Sequence, residues 1–279
     1  MAELDPGLYL VATPIGNLGD MTIRGIEILK NVDLIGAEDT RHSGILLHHF
    51  NIKTPMVSYH QHNAAKRREE FLTLLKEGKS IALISDAGTP GISDPGEDLV
   101  KAAAMENLAI HPIPGGNAVL SALTASAQDC RYFTFEGFLP KQKKERKERL
   151  TILEKIPTTL ILYIAPHALA KDLADIFAAL GNREATLCRE LTKIHESYYR
   201  MPLGAMIEMA ENTELKGEMV LVIAPPPKNE NLEIPSPQKL KTELNTLTEQ
   251  GVKAKIAAQI IADKYGMKKN EIYPLTFED

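Results

Sequence analysis

The residues best placed to do chemistry lie in one loop, Ser85 to Gly96, which contains three glycines and two prolines in twelve residues. An apolar run, Ile81 to Ile84, leads into the loop, and a helix-like run, Glu97 to Asn107, follows it. Because glycine has no side chain, such a loop opens backbone N–H and C=O groups to a ligand. Open α/β sheets bind their ligands just beyond the carboxyl ends of strands. The pattern predicts either a ligand-binding loop or an ordinary strand-to-helix turn, with Asp94 as the N-cap of the helix.

Two more loops of this kind follow short apolar strand candidates. Thr13 to Asp20 follows Leu8 to Ala12, and Pro114 to Asn117 follows Ala109 to Ile113. A strand, a glycine loop and a helix together form a corner that commonly binds ligands. One such loop is weak evidence, but three of them after short apolar strands favour a shared ligand site.

The loops need a sheet to position them, and both halves of the chain show strands alternating with helices. Strands of the buried type recur at Thr158 to Ile164 and at Gly217 to Ile223. The alternation predicts an α/β fold with two α/β domains, residues 1–118 and 119–230. Residues 236–279 differ in character and predict a small helical tail of the helix-turn-helix type.

The composition is that of a globular protein and excludes several classes. The 279 residues carry a net charge of −5 and no Trp, so neither a strongly basic chain nor an aromatic platform for stacking bases is visible. Two cysteines are too few for a disulfide framework or a cysteine-rich zinc site, and we expect no metal. The acidic start is unlike a signal peptide, and no apolar run reaches the ~18 residues of a membrane span. We therefore expect a cytoplasmic protein that does not contact membranes.

One basic run differs from the rest of the chain, because residues 141–149 hold six basic and two acidic side chains. On a helix such a run is usually a solvated face, and the alternative is contact with a phosphate backbone. In the second case the residues predicted to contact RNA are Lys141, Lys143, Lys144, Arg146, Lys147 and Arg149.

Five segments occur in an order that resembles the tetrapyrrole methylase superfamily. They are Pro14 to Asp20, Ala37 to Arg41, Ser85 to Pro90, Pro114-Gly115 and Glu190 to Glu196. The resemblance is closer to the branch that methylates ribosomal RNA. Here the first loop lacks the Gly-x-Gly-Pro-Gly form, and the second lacks the Gly-Asp-Pro form, that are usual in members acting on tetrapyrroles.

This resemblance implies a fold, a cofactor and a reaction. The fold would be two α/β domains with a cofactor cleft between them, in a homodimer. The cofactor would be S-adenosylmethionine. The reaction would be 2′-O-methylation of a cytidine ribose in the decoding centre of 16S rRNA, with small-subunit rRNA or the 30S subunit as partner.

Carried over by motif position, the resemblance assigns nine residues to the cofactor. They are Pro14, Ile84, Ser85, Asp86, Thr89, Asn117, Ala118, Ile164 and Leu191. Backbone groups of the loops would hold the methionine and adenine parts. The Asp86 carboxylate could compensate the positive charge of the cofactor, or it could simply cap a turn.

The resemblance does not identify the base that would help a ribose hydroxyl, which is a poor nucleophile. The candidates are Glu38, Asp39, Glu190 and His195, with Arg41 or Lys193 as partner for a phosphate or an oxyanion. Each could instead be a cap, a salt bridge or a domain contact. Two other functions stay open: a methyltransferase for a tetrapyrrole or other small molecule, and a non-catalytic RNA-binding assembly factor on the same fold.

Overall fold

The computed structural model describes residues 4–227, 235–265 and 267–276. The chain divides into two compact units, Met1–Pro226 and Pro227–Asp279. The first unit contains two five-stranded sheets, and the described part of the second is helical. The predicted α/β fold with a helical C-terminal segment is therefore confirmed.

Five parallel strands form the first sheet, in the order β3-β2-β4-β1-β5. The strands are β1 (Gly7–Val11), β2 (Leu34–Ala37), β3 (Met56–Ser58), β4 (Ser80–Ile84) and β5 (Ile110–Ile113). Because they run in one direction, their carboxyl ends share one edge of the sheet. Strands β4, β1 and β5 are neighbours, so the three glycine loops that follow them start side by side.

Helices cover both faces of this sheet. They are α1 (Ile23–Asn31), α2 (Thr40–His49), α3 (Ala64–Lys76) and α4 (Glu97–Met105). Leu29 and Leu46 belong to one apolar layer, and Phe71 and Leu99 belong to the other. Each fully buried side chain of this size contributes roughly 1.5–3 kcal/mol. The two layers enclose β4, which is buried along its whole length.

The start of α4 differs from the sequence prediction. The N-cap is Gly96, with φ 130° and no side-chain cap. Asp94 was wrongly predicted as the cap. It lies two residues before the N-cap, and its carboxylate lies near the Ser85 hydroxyl, which donates its hydrogen bond to Ala87 O.

The second sheet is mixed, in the order β6-β7-β10-β8-β9. Its strands are β6 (Phe133–Phe138), β7 (Thr159–Ile164), β8 (Glu184–Arg189), β9 (Ser197–Pro202) and β10 (Met219–Ile223). Its helices are α6 (Lys143–Glu154), α7 (Leu169–Leu180) and α8 (Leu203–Asn212). Strand β10 is antiparallel to both β7 and β8. Strand β9 was not predicted from the sequence, because that edge strand has no buried residue to produce an apolar run.

Helix α5 (Ala118–Ala125) packs on the second sheet, although it follows the last strand of the first. Its Val119 and Leu123 share a buried cluster with Ile161 and Val220. Ile15, from the first glycine loop, belongs to the same cluster. This packing holds the first loop between the two sheets.

The second unit contains α9 (Pro237–Glu249), α10 (Ala254–Tyr265) and α11 (Lys269–Ile272). Leu240, Leu244 and Ile261 form a small apolar core with the last helix. The predicted limit of the second domain at residue 230 lies outside the described residues, as do residues 266 and 277–279 of the predicted tail. Among the described helices, none is both long and apolar enough to cross a membrane.

Candidate functional site

Hydrogen bonds join the three glycine loops directly. Thr13 and Gly88 exchange both of their backbone hydrogen bonds, at 2.9 and 3.1 Å. The Thr89 hydroxyl donates to Gly116 O at 3.3 Å, and the Asn117 side-chain amide donates to the Thr89 hydroxyl at 3.2 Å. Asn117 also caps α5, because its Oδ1 accepts from Leu120 N. The loops after β1, β4 and β5 therefore form one connected structure.

At two positions in these loops glycine is required, because neighbouring atoms lie too close to leave room for a side chain. A Cβ on Gly116 would lie 2.7 Å from Thr13 O, so a side chain there would separate the first and third loops. A Cβ on Gly16 would overlap the side chain of Lys193, which lies between β8 and β9 of the second sheet. The first glycine loop thus packs tightly against both of its neighbours.

The larger of two adjoining cavities, here called the main cleft, has a volume of about 320 Å³. The glycine loops form one wall with Ile15, Ala87 to Thr89, Ile92 to Asp94, Asn117 and Ala118. The second sheet forms the other wall with Phe138, Tyr163 to Pro166, Cys188, Leu191 and Glu218 to Val220. Most of these side chains are apolar, which is typical of a pocket for a small organic molecule.

The other cavity, here called the side pocket, has a volume of about 310 Å³. The first glycine loop lines it with Thr13 to Leu18, and the second loop with Ser85 to Ala87. The remaining lining residues are His42, Ser43, Ile45, Leu46, Lys193 and Glu218. The side pocket shares Ile15, Ala87 and Glu218 with the main cleft, so the two cavities are contiguous.

Eight of the nine predicted cofactor residues line one cavity or the other. Thr89, Asn117, Ala118, Ile164 and Leu191 line the main cleft, and Pro14, Ser85 and Asp86 line the side pocket. Ile84 lines neither, because it is the last residue of β4 and its side chain is buried. The structure thus brings loops from distant parts of the chain to two adjoining cavities.

Acidic side chains are concentrated beside these cavities. Burial, followed by the negative charges of Glu38 and Asp86, raises the pKa of Asp94 to about 6. Burial and the charge of Asp86 also raise the pKa of Glu38. The backbone N–H of Asp39 donates to Asp86 Oδ1 at 3.1 Å, which places these acids at neighbouring strand ends. A cation placed here would relieve the repulsion among the carboxylates.

Two predicted catalytic residues, Asp39 and Glu190, are held ionised by their partners. Hydrogen bonds from the side chain and backbone of Arg41 hold the pKa of Asp39 well below its usual range. The Lys193 ammonium, 2.9 Å from Glu190 Oε1, is the main cause of the lowered pKa of Glu190. Carboxylates held in this way are better suited to fixing structure than to accepting a proton.

The segment that follows β8 has an unusual backbone. Glu190 and Thr192 have positive φ angles of 53° and 67°, which are strained for residues other than glycine. Lys193 donates from here to both Glu190 and Glu218, at 2.9 and 3.0 Å. Of the predicted catalytic and partner residues, only Lys193 lines a described cavity. The catalytic roles of Glu38, Asp39, Arg41, Glu190 and His195 stay predictions.

The basic run forms the first half of α6 and the turn before it, but two of its six cations are committed to other contacts. The Arg146 side chain is 8% exposed and binds Asp172 and Asp175 at 2.7 and 2.6 Å. Arg149 makes a two-pronged pair with Glu136. Arg146 was therefore wrongly predicted to contact RNA, because its burial removes it from the surface. Lys141, Lys143, Lys144 and Lys147 are exposed.

Several residues that line the cavities could not be predicted as site residues from the sequence. Tyr163 and Met219 lie at strand ends of the second sheet, and their apolar character indicates only a buried strand. Ser43 and Ile45 lie on α2, whose pattern predicts only a helix. Among the described residues, no group of three or more His, Cys, Asp or Glu side chains could hold a metal ion.

The chain matches one family model and is similar to named proteins over nearly its whole length. The family model for Tetrapyrrole (Corrin/Porphyrin) Methylases matches residues 7–207. The chain is 46% identical over 272 residues to the Ribosomal RNA small subunit methyltransferase I of Synechocystis, covering 97% of each chain. It is 42% identical over 279 residues to the protein of that name from Halalkalibacterium halodurans, covering 98% of this chain and 95% of the relative.

A solved structure shows the same fold at low sequence identity. Uroporphyrin-III C-methyl transferase from Thermus thermophilus, complexed with S-adenyl homocysteine, has a TM-score of 0.56 and 16% identity. The match covers 78% of this chain and 97% of that one.

Proposed function

Since the chain belongs to the tetrapyrrole methylase family, we propose that it transfers a methyl group from S-adenosylmethionine to small-subunit ribosomal RNA. The proposed acceptor is the 2′-oxygen of a cytidine ribose in the decoding centre. One observation carries the proposal: three hydrogen-bonded glycine loops meet a second sheet around two contiguous cavities. The relatives named as rRNA methyltransferases, similar over nearly the whole chain, favour RNA over a tetrapyrrole as the substrate.

The residues that line the cavities suit S-adenosylmethionine in polarity and charge. Ile164, Leu191 and Val220 offer apolar surface to an adenine ring, and the Asn117 amide lies beside them. The loop residues Pro14, Ser85 and Asp86 would hold the methionine end, where the two cavities join. The neighbouring acids would stabilise a ligand that carries sulfonium and ammonium charges. When bound, this cofactor supplies a methyl group on a positively charged sulfur, which an oxygen can displace in line.

The contribution of the protein is to orient the acceptor oxygen and to receive its proton. Orientation alone can supply much of the rate enhancement in a reaction between two held groups. Among the predicted catalytic carboxylates, we assign the proton to Glu38, because burial and the negative charge of Asp86 raise its pKa. The pKa values of Asp39 and Glu190 are lowered, which makes them weaker bases.

We also propose that the protein is a homodimer and that it acts in the cytoplasm, where its proposed rRNA substrate is found. The family resemblance implies the dimer. Light scattering on the purified protein should give twice the mass of one chain, and the mass of a single chain would contradict this part of the proposal.

The reaction is tested by methyl transfer from labelled S-adenosylmethionine to 30S subunits from cells that lack this enzyme. Naked 16S rRNA and a porphyrinoid precursor serve as parallel substrates. We expect labelled 2′-O-methylcytidine after the rRNA is digested to nucleosides. Label in the porphyrinoid would instead support a tetrapyrrole methyltransferase. Binding to 30S subunits without any transfer would support a non-catalytic assembly factor.

A further inference from the structure

The outer part of the side pocket is formed by residues that the cofactor does not account for. Helix α2 contributes His42, Ser43, Ile45 and Leu46, and the first glycine loop contributes Leu18. None of these residues is among those assigned to the cofactor. They line the same cavity as Asp86, where the methionine end of the cofactor would be held. This outer part is therefore next to the place where the transferred methyl group must be.

The chemistry of this region combines an apolar rim with an unsatisfied hydroxyl. Ile45 is 68% exposed and Leu18 is 39% exposed, so both present aliphatic surface at the rim of a pocket. Ser43 is only 2% exposed, and its Oγ has no hydrogen-bond partner among the described residues. A buried hydroxyl without a partner costs free energy, which a ligand can recover by bonding to it. Apolar contact with the face of a nucleobase and a hydrogen bond to its edge are contacts by which proteins hold a base that has left the stack.

We propose that the outer side pocket, formed by Leu18, His42, Ser43 and Ile45, binds the nucleoside that is methylated, turned out of the RNA strand. This inference rests on the proposed function. The base contacts Ile45 and Leu18 and bonds to Ser43 Oγ. The ribose then lies towards Ile15 and Ala87, the wall that the side pocket shares with the main cleft. Enzymes that modify a nucleotide commonly extrude it into a pocket in this manner.

The acidic side chains nearby favour a nucleoside over a porphyrinoid in this position. Asp86 lines the side pocket, and Glu38 and Asp94 are its neighbours. A porphyrinoid precursor carries several carboxylates, which these acids would repel. The pyrimidine base that enters this pocket is uncharged and meets no such penalty, because the negatively charged phosphates on either side of it stay with the strand outside the pocket.

The substitution Ile45→Glu tests the pocket with little risk to the fold, because the side chain is exposed. Met105→Glu is its matched control. Met105 is 76% exposed at the C-terminal end of α4, next to the turn that enters β5, and so at the opposite edge of the sheet. We expect Ile45→Glu to lower kcat/KM for 30S subunits at least tenfold and Met105→Glu to change it less than twofold. Calorimetry should show that the Kd for S-adenosylmethionine changes less than twofold in both variants.

Ser43→Ala provides a second, smaller test, because it deletes one atom without adding volume. We expect about a fivefold fall in kcat/KM for 30S subunits, the effect of losing one neutral hydrogen bond, with unchanged cofactor affinity. A photo-reactive benzoylphenylalanine at position 45 should crosslink to the methylated nucleotide, and the same group at position 105 should not. This last readout does not depend on turnover.

Three results would overturn the inference. Equal kcat/KM for Ile45→Glu and Met105→Glu would show that the nucleoside binds elsewhere. A parallel loss of cofactor affinity in Ile45→Glu or Ser43→Ala would assign the pocket to the cofactor. A wild-type enzyme that transfers no methyl group to 30S subunits would overturn the proposed function, and the inference with it. With wild-type transfer intact, either of the first two results overturns the inference alone.

Discussion

At the scale of single residues, Asp86 has the clearest position, because it lines the side pocket beside the joined loops. Its Oδ1 already accepts a hydrogen bond from Asp39 N, so an amide could keep that contact while removing the charge. Substituting Asp86 by Asn therefore tests the effect of its negative charge while the hydrogen bond from Asp39 N is kept.

We predict that Asp86→Asn raises the Kd for S-adenosylmethionine about tenfold, equivalent to about 1.4 kcal/mol. The physical reason is the loss of one negative charge beside a cationic ligand. Isothermal titration measures the effect. Glu106→Gln is the control, because Glu106 pairs with Lys76 on the surface and should leave the Kd unchanged. If the two variants bind equally well, Asp86 only caps its loop.

Glu38 is the residue on which the proposed proton transfer depends. We predict that Glu38→Gln lowers kcat by about a hundredfold, within the usual range for a general base. The KM for 30S subunits should stay within a few-fold of the wild-type value. Glu190→Gln serves as comparison, since Glu190 is ion-paired with Lys193 and its pKa is lowered. A normal kcat in Glu38→Gln would remove Glu38 from the mechanism.

Asp94 should make stability depend on pH. Its pKa is about 6 in the folded protein against 3.8 ordinarily, so the folded state keeps a proton that the unfolded state has lost between these values. Stability therefore falls as the pH rises through this window. We predict that Asp94→Asn stabilises the protein above pH 6 by roughly 1 kcal/mol after allowance for solvent screening, or about 2–4 °C in Tm.

Calorimetric melting of wild type and Asp94→Asn at pH 4 and pH 8 measures this effect. The difference in Tm between the two proteins should be small at pH 4 and positive for the variant at pH 8. A difference that is the same at both pH values would show that Asp94 titrates normally.

At the scale of elements, helix α6 carries two kinds of cation, a buried arginine and several exposed lysines. Arg146 points into the packed body and pairs with two aspartates of α7, so it holds the helix in place. A buried charge that loses its partner is strongly destabilising, which explains why this cation cannot be released to bind RNA. The exposed lysines have no such constraint.

We predict that replacing Lys143, Lys144 and Lys147 together by Gln weakens binding to 30S subunits and lowers its salt dependence. For each lysine that binds a phosphate, its replacement should reduce the slope of log K against log salt by about 0.7–0.9. The matched control replaces the exposed lysines Lys30, Lys53 and Lys101 by Gln. Filter binding across a salt series measures both. Equal slopes in the two triple variants would assign the α6 lysines to solvation alone.

At the scale of the whole molecule, the described residues that line the two cavities all belong to the first compact unit. We predict that a chain ending at Pro227 binds S-adenosylmethionine with a Kd within twofold of the full-length value. The reason is that the loops and the second sheet are complete without the helical unit. Isothermal titration measures the Kd, and circular dichroism checks that the shortened chain is folded. A folded but non-binding chain would show that the helical unit supports the site.

Much of the architecture could be predicted from local patterns. The apolar runs and the glycine loops after them identified β1, β4 and β5, and the alternation of elements identified an α/β fold. Strand β9 was missed because an edge strand that is only partly buried has no continuous apolar run. The N-cap of α4 was misplaced because the loop continues for two residues beyond Asp94, to Gly96, whose φ of 130° is a backbone conformation that helix propensity does not register.

The sequence by itself determined most of the strands and helices and the positions of the glycine loops, because those choices depend on side chains near one another in the chain. Only the tertiary structure decided that β4, β1 and β5 are neighbours, which brings the three loops into contact. It also decided that Arg146 is buried while nearby lysines are exposed, and that the buried Ser43 hydroxyl has no hydrogen-bond partner among the described residues. These outcomes depend on strand order and on packing between elements distant in sequence, which no local pattern encodes.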